Sequence, residues 1–180
     1  MIFKKTKFSG LIIIKTSTNI DDRGYFQELF RLNELEKTVG YKINFCQENE
    51  SVSKLGVLRG LHFQKKPYSQ SKLVRVSDGS VLDVVVDLRK DSLTYGKYFS
   101  IKLSSKNNLQ LFVPRGFAHG YLTLSDKAKI IYKVDNYYNK KSECGIKYDD
   151  EFLDIKWGYS KNFIVSAKDR NHLFFKDIEF

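Results

Sequence analysis

The sequence is poor in the residues that mark the common special classes of protein. Its two cysteines, Cys46 and Cys144, stand far apart among 180 residues and form no CxxC spacing. That excludes a disulfide framework or a thiolate zinc site and suits a reduced, cytoplasmic protein. Histidine is nearly as scarce, with His62, His119 and His172 the only three. There is no His-x-His pair with a spaced carboxylate to supply three or four donors, so no metal is expected. Apolar runs are short. Leu11-Ile12-Ile13-Ile14 falls well below a membrane span or the core of a secretion signal, and no membrane partner is expected. Repeats, linkers and low-complexity tracts are absent. Acidic residues are the minority charge, 21 Asp+Glu against 31 Lys+Arg, which leaves a net +10. A basic excess raises the question of an anionic partner. The lysines come in pairs, Lys4-Lys5, Lys65-Lys66 and Lys140-Lys141, not in long runs. No zinc-finger or RNA-binding aromatic signature is present either. Nucleic acid is therefore not the expected partner, and a small anionic ligand is.

What the sequence holds in quantity is aromatic bulk, 14 Phe and 11 Tyr. Read as one domain over residues 1–180, such a chain buries roughly 70% of the surface it exposes when unfolded, and its core needs no staples. Strand signals dominate. One or two strands are expected over 2–16, then a turn-rich loop, Asn19-Ile20-Asp21-Asp22-Arg23-Gly24, and a strand from Tyr25 to Phe30. A short helix is expected over 33–40, with Asn33 capping it and Gly40 ending it. Strands follow over 43–53, 97–103, 109–113, 119–124 and 129–135. Asp78-Gly79, between 72–77 and 81–87, reads as the tight turn of a hairpin. The tail beyond Asp150 mixes one short helix with irregular chain. Many short strands with little helix predict an all-β fold, a barrel or jelly-roll sandwich with a few short peripheral helices.

One stretch organises the rest: Val57-Leu58-Arg59-Gly60-Leu61-His62-Phe63-Gln64. Strict alternation would turn Arg59 and His62 to opposite faces, whereas a bulge at Gly60 would bring both to one cavity. Read alone, an ordinary core histidine fits as well. Lys72 shares a face with Val74 and Val76, a position that costs desolvation unless an anion meets it. Snorkelling at the strand's edge is the other reading. Tyr132 points with Ile130 and Val134 into apolar surroundings, where its hydroxyl needs a partner. Arg23 and Glu28, by composition alone, read as surface charge.

Pro114-Arg115-Gly116-Phe117-Ala118-His119-Gly120 resembles the second motif of the cupin barrels, Pro-x-Gly-x-x-His. A wider likeness runs through Asp22-Arg23-Gly24, Gln47-Glu48-Asn49, the stretch 57–64, then 72–76, 81–89 and 114–120. It continues from Tyr132 to Tyr138, from Gly145 to Trp157 and in Ser166-Ala167-Lys168-Asp169. In that order and spacing the chain resembles the dTDP-4-dehydrorhamnose 3,5-epimerases, metal-free enzymes on a cupin-type double-stranded β-helix. The resemblance implies inversion of C3 and C5 of dTDP-4-dehydro-6-deoxy-D-glucose, without cofactor, by proton transfer beside the C4 ketone. His62 would be the base and Tyr132 the acid on the opposite face. Asp169 would orient His62, with Asp83 a second candidate, and Lys72 would hold the enolate oxygen. Arg59 and His119 would meet the diphosphate or sugar. Arg23, Glu28, Gln47, Glu48, Asn49, Tyr138, Glu143 and Lys168 would line the nucleotide-sugar site. A homodimer with exchanged N-terminal strands would bring Arg23 and Glu28 from the partner. The departures are Ala167 where a glutamate is more usual, Asp135-Asn136 within the tyrosine run, and Asn171-His172-Leu173-Phe174 without the common proline. Two alternatives stay open: an epimerase for another nucleotide-linked keto sugar, such as a GDP-linked keto-heptose, and a non-catalytic cupin that only binds a sugar nucleotide.

Overall fold

The computed structural model describes residues 1–158 and 162–178. The chain opens with β1 (Ile2–Lys5), β2 (Ile12–Lys15), β3 (Thr18–Asp21) and β4 (Gly24–Gln27), followed by α1 (Leu32–Val39). Then come β5 (Gln47–Lys54), β6 (Val57–Gln64), β7 (Lys72–Asp78), β8 (Ser80–Asp87) and β9 (Tyr98–Ser104). β10 (Leu109–Val113), β11 (Phe117–Thr123), β12 (Lys127–Val134) and β13 (Glu143–Gly145) complete the barrel strands. β14 (Ile164–Val165), α2 (Ala167–Arg170) and a 3-10 turn at Phe175–Asp177 form the tail.

Two sheets face one another as a jelly roll, one ordered β1-β2-β10-β7-β12-β5 and the other β13-β6-β11-β8-β9. Period-two alternation sorts their side chains. Val74, Val76, Leu111 and Ile130 from the first sheet meet Val81, Val85, Phe117 and Tyr121 from the second in the barrel interior. The outer face of the second sheet is also apolar. Leu58, Leu61, Phe63, Val84, Ala118 and Leu122 lie under Ile146, Leu153, Trp157 and Phe175 of the C-terminal segment. This is why β11 is buried at every position. On the outer face of the first sheet Ile12, Ile14, Leu73 and Phe112 pack with Leu35 of α1 and with Ile43. No helix among the described residues is long and apolar enough to cross a membrane.

Several local expectations need correction. Asp78-Gly79 turns the chain, but β7 pairs with β10 and β12 while β8 pairs with β11 and β9. The turn is a corner between the sheets and not a hairpin. Gly79 has φ +75°, and a Cβ there would lie 2.0 Å from the Lys127 carbonyl oxygen, so the corner needs glycine. Residues 43–46 precede β5 without being strand, because Ile43 packs outward into the cluster beneath α1. The residue before α1 is Arg31, with no side-chain cap, so Asn33 lies inside the helix; Gly40 ends it at φ 87° as expected. The stretch read as a loop at 19–24 is part of an antiparallel ribbon, β3 with β4, separate from both sheets. It exposes Ile20, Tyr25 and Phe26 at 82%, 73% and 70%.

Candidate active site

The bulge anticipated at Gly60 is present and sets up the site. His62 pairs with His119 and Arg59 with Tyr121, so Gly60 and Leu61 together oppose the single residue Gly120. The extra residue restores Arg59 and His62 to the same inward face despite their odd spacing. Both glycines are sterically required. A Cβ on Gly60 would sit 2.7 Å from Gly120 Cα and His119 O, and one on Gly120 would sit 2.6 Å from Arg59 O.

Asp169 reaches His62 from the tail. Ser166 caps the short turn α2 by accepting the Asp169 N–H at 3.0 Å. The Asp169 carboxylate meets His62 Nε2 at 2.8 Å through Oδ1 and accepts the Gly60 N–H at 3.1 Å through Oδ2. Burial works to raise its pKa, but the imidazoles of His172 and His62, with the Gly60 N–H, outweigh that and hold it well below the usual carboxylate range. Asp83, the other carboxylate considered for orienting His62, does not touch it. Asp83 meets His119 Nε2 at 2.9 Å, and both groups are buried.

The opposite wall comes from the first sheet. Tyr132 on β12 faces Asn49 on β5 and Val74 on β7, and one pleat further Val134 faces Gln47 and Lys72. His62, Gln64, Gln70, Lys72, Tyr132, Gln47, Asn49, Tyr138 and Glu143 line a cavity of about 370 Å³. A second cavity of about 390 Å³, lined by Arg59, Ser166, Lys168 and Asp169, shares His62 and Glu143 with it. Burial pushes the Lys72 ammonium down to about 8, and Asp83 and Glu143 limit the fall. Burial and the neighbouring Tyr121 raise Tyr132, opposed by Arg59 and Asn49. Above the site Glu143 Oε2 accepts from Tyr138 Oη at 2.7 Å and from Lys168 Nζ. Burial raises Glu143, but those two donors prevail and lower its pKa, while Tyr138 and Lys168 are raised by the same contacts.

Not every expected residue lies here. Arg23 pairs with Asp21 on the β3–β4 ribbon and Glu28 pairs with Arg31, both away from His62 within this chain. Glu48 pairs with Lys133 and lines a different cavity, with Phe30 and Arg75 on the outer face of the first sheet. Alternation along β5 puts Glu48 on that side because Gln47 and Asn49 point inward. His119 lies behind the site, 7% exposed, and lines neither cavity. Two residues were missed. Gln64 stands two positions beyond His62 on the same face; its amide donates to Tyr68 O at 2.6 Å and accepts Asn139 N–H at 2.6 Å, fixing loops at the rim. His172 stands three positions beyond Asp169 with its ring edge-on to His62, centroids 5.4 Å apart.

A jelly-roll barrel with an imidazole–carboxylate pair on one wall and a phenol and a partly desolvated lysine on the other is a cupin equipped for acid–base chemistry on a small polar ligand. The sequence model for dTDP-4-dehydrorhamnose 3,5-epimerase matches residues 5–177. An Escherichia coli dTDP-4-dehydrorhamnose 3,5-epimerase is 45% identical over 165 residues, 92% of this chain and 89% of that one. The crystal structure of an Elizabethkingia anophelis dTDP-4-dehydrorhamnose 3,5-epimerase superposes with a TM-score of 0.96 at 45% identity, covering 100% of this chain and 99% of that one. A Legionella pneumophila dTDP-6-deoxy-D-glucose-3,5-epimerase, solved with dTDP-4-keto-L-rhamnose, gives 0.94 at 39% identity, covering 99% and 94%. The chain belongs to the dTDP-4-dehydrorhamnose 3,5-epimerase family.

Proposed function

We propose that the protein epimerises C3 and C5 of dTDP-4-dehydro-6-deoxy-D-glucose to give dTDP-4-dehydro-L-rhamnose, a deoxysugar precursor for surface polysaccharide. The observation that carries this reading is that His62 and Tyr132 line one cavity from opposite sheets, with Lys72 on the wall that carries Tyr132. Both carbons adjoin the C4 ketone, so loss of either proton leaves an enolate. Inversion requires that the proton leave from one face and return to the other. Asp169 engages His62 Nε2, which leaves Nδ1 as the nitrogen that takes the proton, and the carboxylate stabilises the imidazolium that forms. Lys72 offers its charge to the enolate oxygen from a buried position, where such a charge counts for more than in water. Tyr132, with its pKa raised, keeps its proton until the enolate takes it from the opposite face. The phenolate then regains a proton from solvent and the imidazolium releases its own there, which resets both groups for the second carbon.

Arg59 presents a guanidinium to the diphosphate, and Gln47, Asn49, Tyr138, Glu143 and Lys168 surround the remainder. His119 and Asp83 support the wall from behind. No cofactor enters these steps, and residues 1–180 act as one domain in the cytoplasm. Arg23 and Glu28 complete the site of a second copy in a homodimer. The ribbon that carries Arg23 exposes Ile20, Tyr25 and Phe26, an apolar surface that a partner would cover. Light scattering that reports a monomer would remove the dimer from this scheme.

The test is deuterium exchange followed by NMR, with dTDP-4-dehydro-6-deoxyglucose in heavy water. Label at both C3 and C5, lost in His62→Ala, is expected. Label at one carbon alone would make the protein a single-site epimerase. No label with this sugar, or with GDP-linked keto sugars, would leave only a binding role.

A further inference from the structure

His172 has no part in the scheme above, yet it is placed where a ligand to a cation would be. Its side chain is 10% exposed, and its Nε2 is buried without a hydrogen-bond partner among the described residues. That nitrogen lies 3.4 Å from Asp169 Oδ1, while His62 Nε2 lies 2.8 Å from the same oxygen. One donor atom from each of the three residues falls within 4.8 Å of the other two. The ring gains its place from Gly145, where a Cβ would stand 2.3 Å from His172 Nε2.

The geometry points to a divalent transition-metal site formed by His62, Asp169 and His172, occupied at the expense of catalysis. Two imidazole nitrogens and one carboxylate oxygen are a donor set for Zn²⁺ and its neighbours and not for Mg²⁺. Ligands about 2.1 Å from a tetrahedral ion stand roughly 3.4 Å from one another. The His172–Asp169 separation already meets that spacing; the 2.8 Å His62–Asp169 bond must open by roughly a fifth, and the two imidazole nitrogens, within 4.8 Å of each other, must settle at the same spacing. The exposed edge of His62, 33% accessible, is the way in, and water or solvent-borne anions fill the fourth position. Lys168, the neighbouring cation, is already paired with Glu143. A bound ion would hold the His62 ring and take Asp169 from it, so it would block proton abstraction. This consequence rests on His62 being the base; the binding does not.

Isothermal titration of the full chain with ZnCl₂ tests the site directly, with MgCl₂ as control. One Zn²⁺ per chain is expected, and ring-nitrogen NMR of the wild-type protein should show both the His62 and His172 imidazoles perturbed. His172→Gln should weaken Zn²⁺ at least about 10-fold, since even residues that only support metal ligands cost 10–100-fold. Whatever turnover it retains should be insensitive to added Zn²⁺, whereas the wild type should be inhibited and relieved by EDTA. Zn²⁺ binding unchanged in His172→Gln, or binding that leaves either imidazole resonance unmoved, would overturn the site, and so would no binding. Binding at these residues without inhibition would support the site and count against His62 as the base.

Discussion

The barrel contains two imidazole–carboxylate pairs whose bonds are nearly equal, 2.8 Å in His62–Asp169 and 2.9 Å in His119–Asp83. Their histidines are register partners on adjacent strands. What separates them is the far side of each ring. His62 is 33% accessible and lines both cavities, whereas His119 is 8% accessible and lines neither. The carboxylates also differ in origin. Asp83 comes from β8, the neighbouring strand, so the His119 pair is set by the sheet itself. Asp169 comes from the tail, 107 residues beyond His62, so that pair exists only when the tail has docked. The same hydrogen bond closes a wall in one case and borders open space in the other. What the two pairs can do differs by the space beside the ring and not by the bond.

The sharpest way to test the contrast is to remove each imidazole. His62→Ala should lower turnover about 10³-fold, the scale of a lost general base, while its melting temperature falls less than that of His119→Ala, because Asp169 keeps the Gly60 N–H and the neighbouring His172. Steady-state kinetics beside thermal melts read both. His119→Ala should do the reverse. It strands Asp83, whose Oδ1 already lacks a hydrogen-bond partner among the described residues and whose surface is fully buried. That costs about 3 kcal/mol of stability, measurable by urea unfolding, with turnover in the folded fraction far closer to wild type. Equal losses of turnover in the two variants would end the distinction. Asp169→Asn should fall between them, with turnover down roughly 100-fold and only a modest loss of stability.

The contrast was only partly legible in the sequence. Period two alone put Lys72 and Tyr132 on apolar faces, and the odd spacing of Arg59 and His62 with a glycine between them was enough to suggest a bulge. Local signals could say that the chain turns at Asp78-Gly79, but not what β7 and β8 pair with, because pairing is decided by partners far along the chain. Asp169 was assigned through family likeness, since no local pattern links it to His62. The same likeness groups Glu48 with Gln47 and Asn49, whereas successive strand residues alternate faces, and within this chain Glu48 lines a cavity on the outer side of its sheet. His172 carried no signal beyond its spacing from Asp169.

Smaller effects refine the picture of the opposite wall. Burial brings Lys72 down to about 8, and the proposed mechanism asks for its charge at the enolate, so kcat/KM should fall as pH rises through about 8. Lys72→Arg should remove that limb, because a guanidinium keeps its proton far higher. Unfolding does not account for the fall. The folded pKa lies below the 10.5 of an ordinary lysine, so between the two the unfolded chain binds more protons and this group makes stability rise with pH. A pH profile with parallel melts separates the two. The smallest effect belongs to β5. Asn49→Ala should raise KM several-fold, about 1 kcal/mol for a lost hydrogen bond. Glu48→Ala removes only an exposed pair with Lys133, worth about 0–1 kcal/mol, and should leave KM within about twofold. If the two substitutions act alike on KM, Glu48 reaches the ligand by a route that a single copy of the chain does not provide, and the second copy becomes the place to look for it.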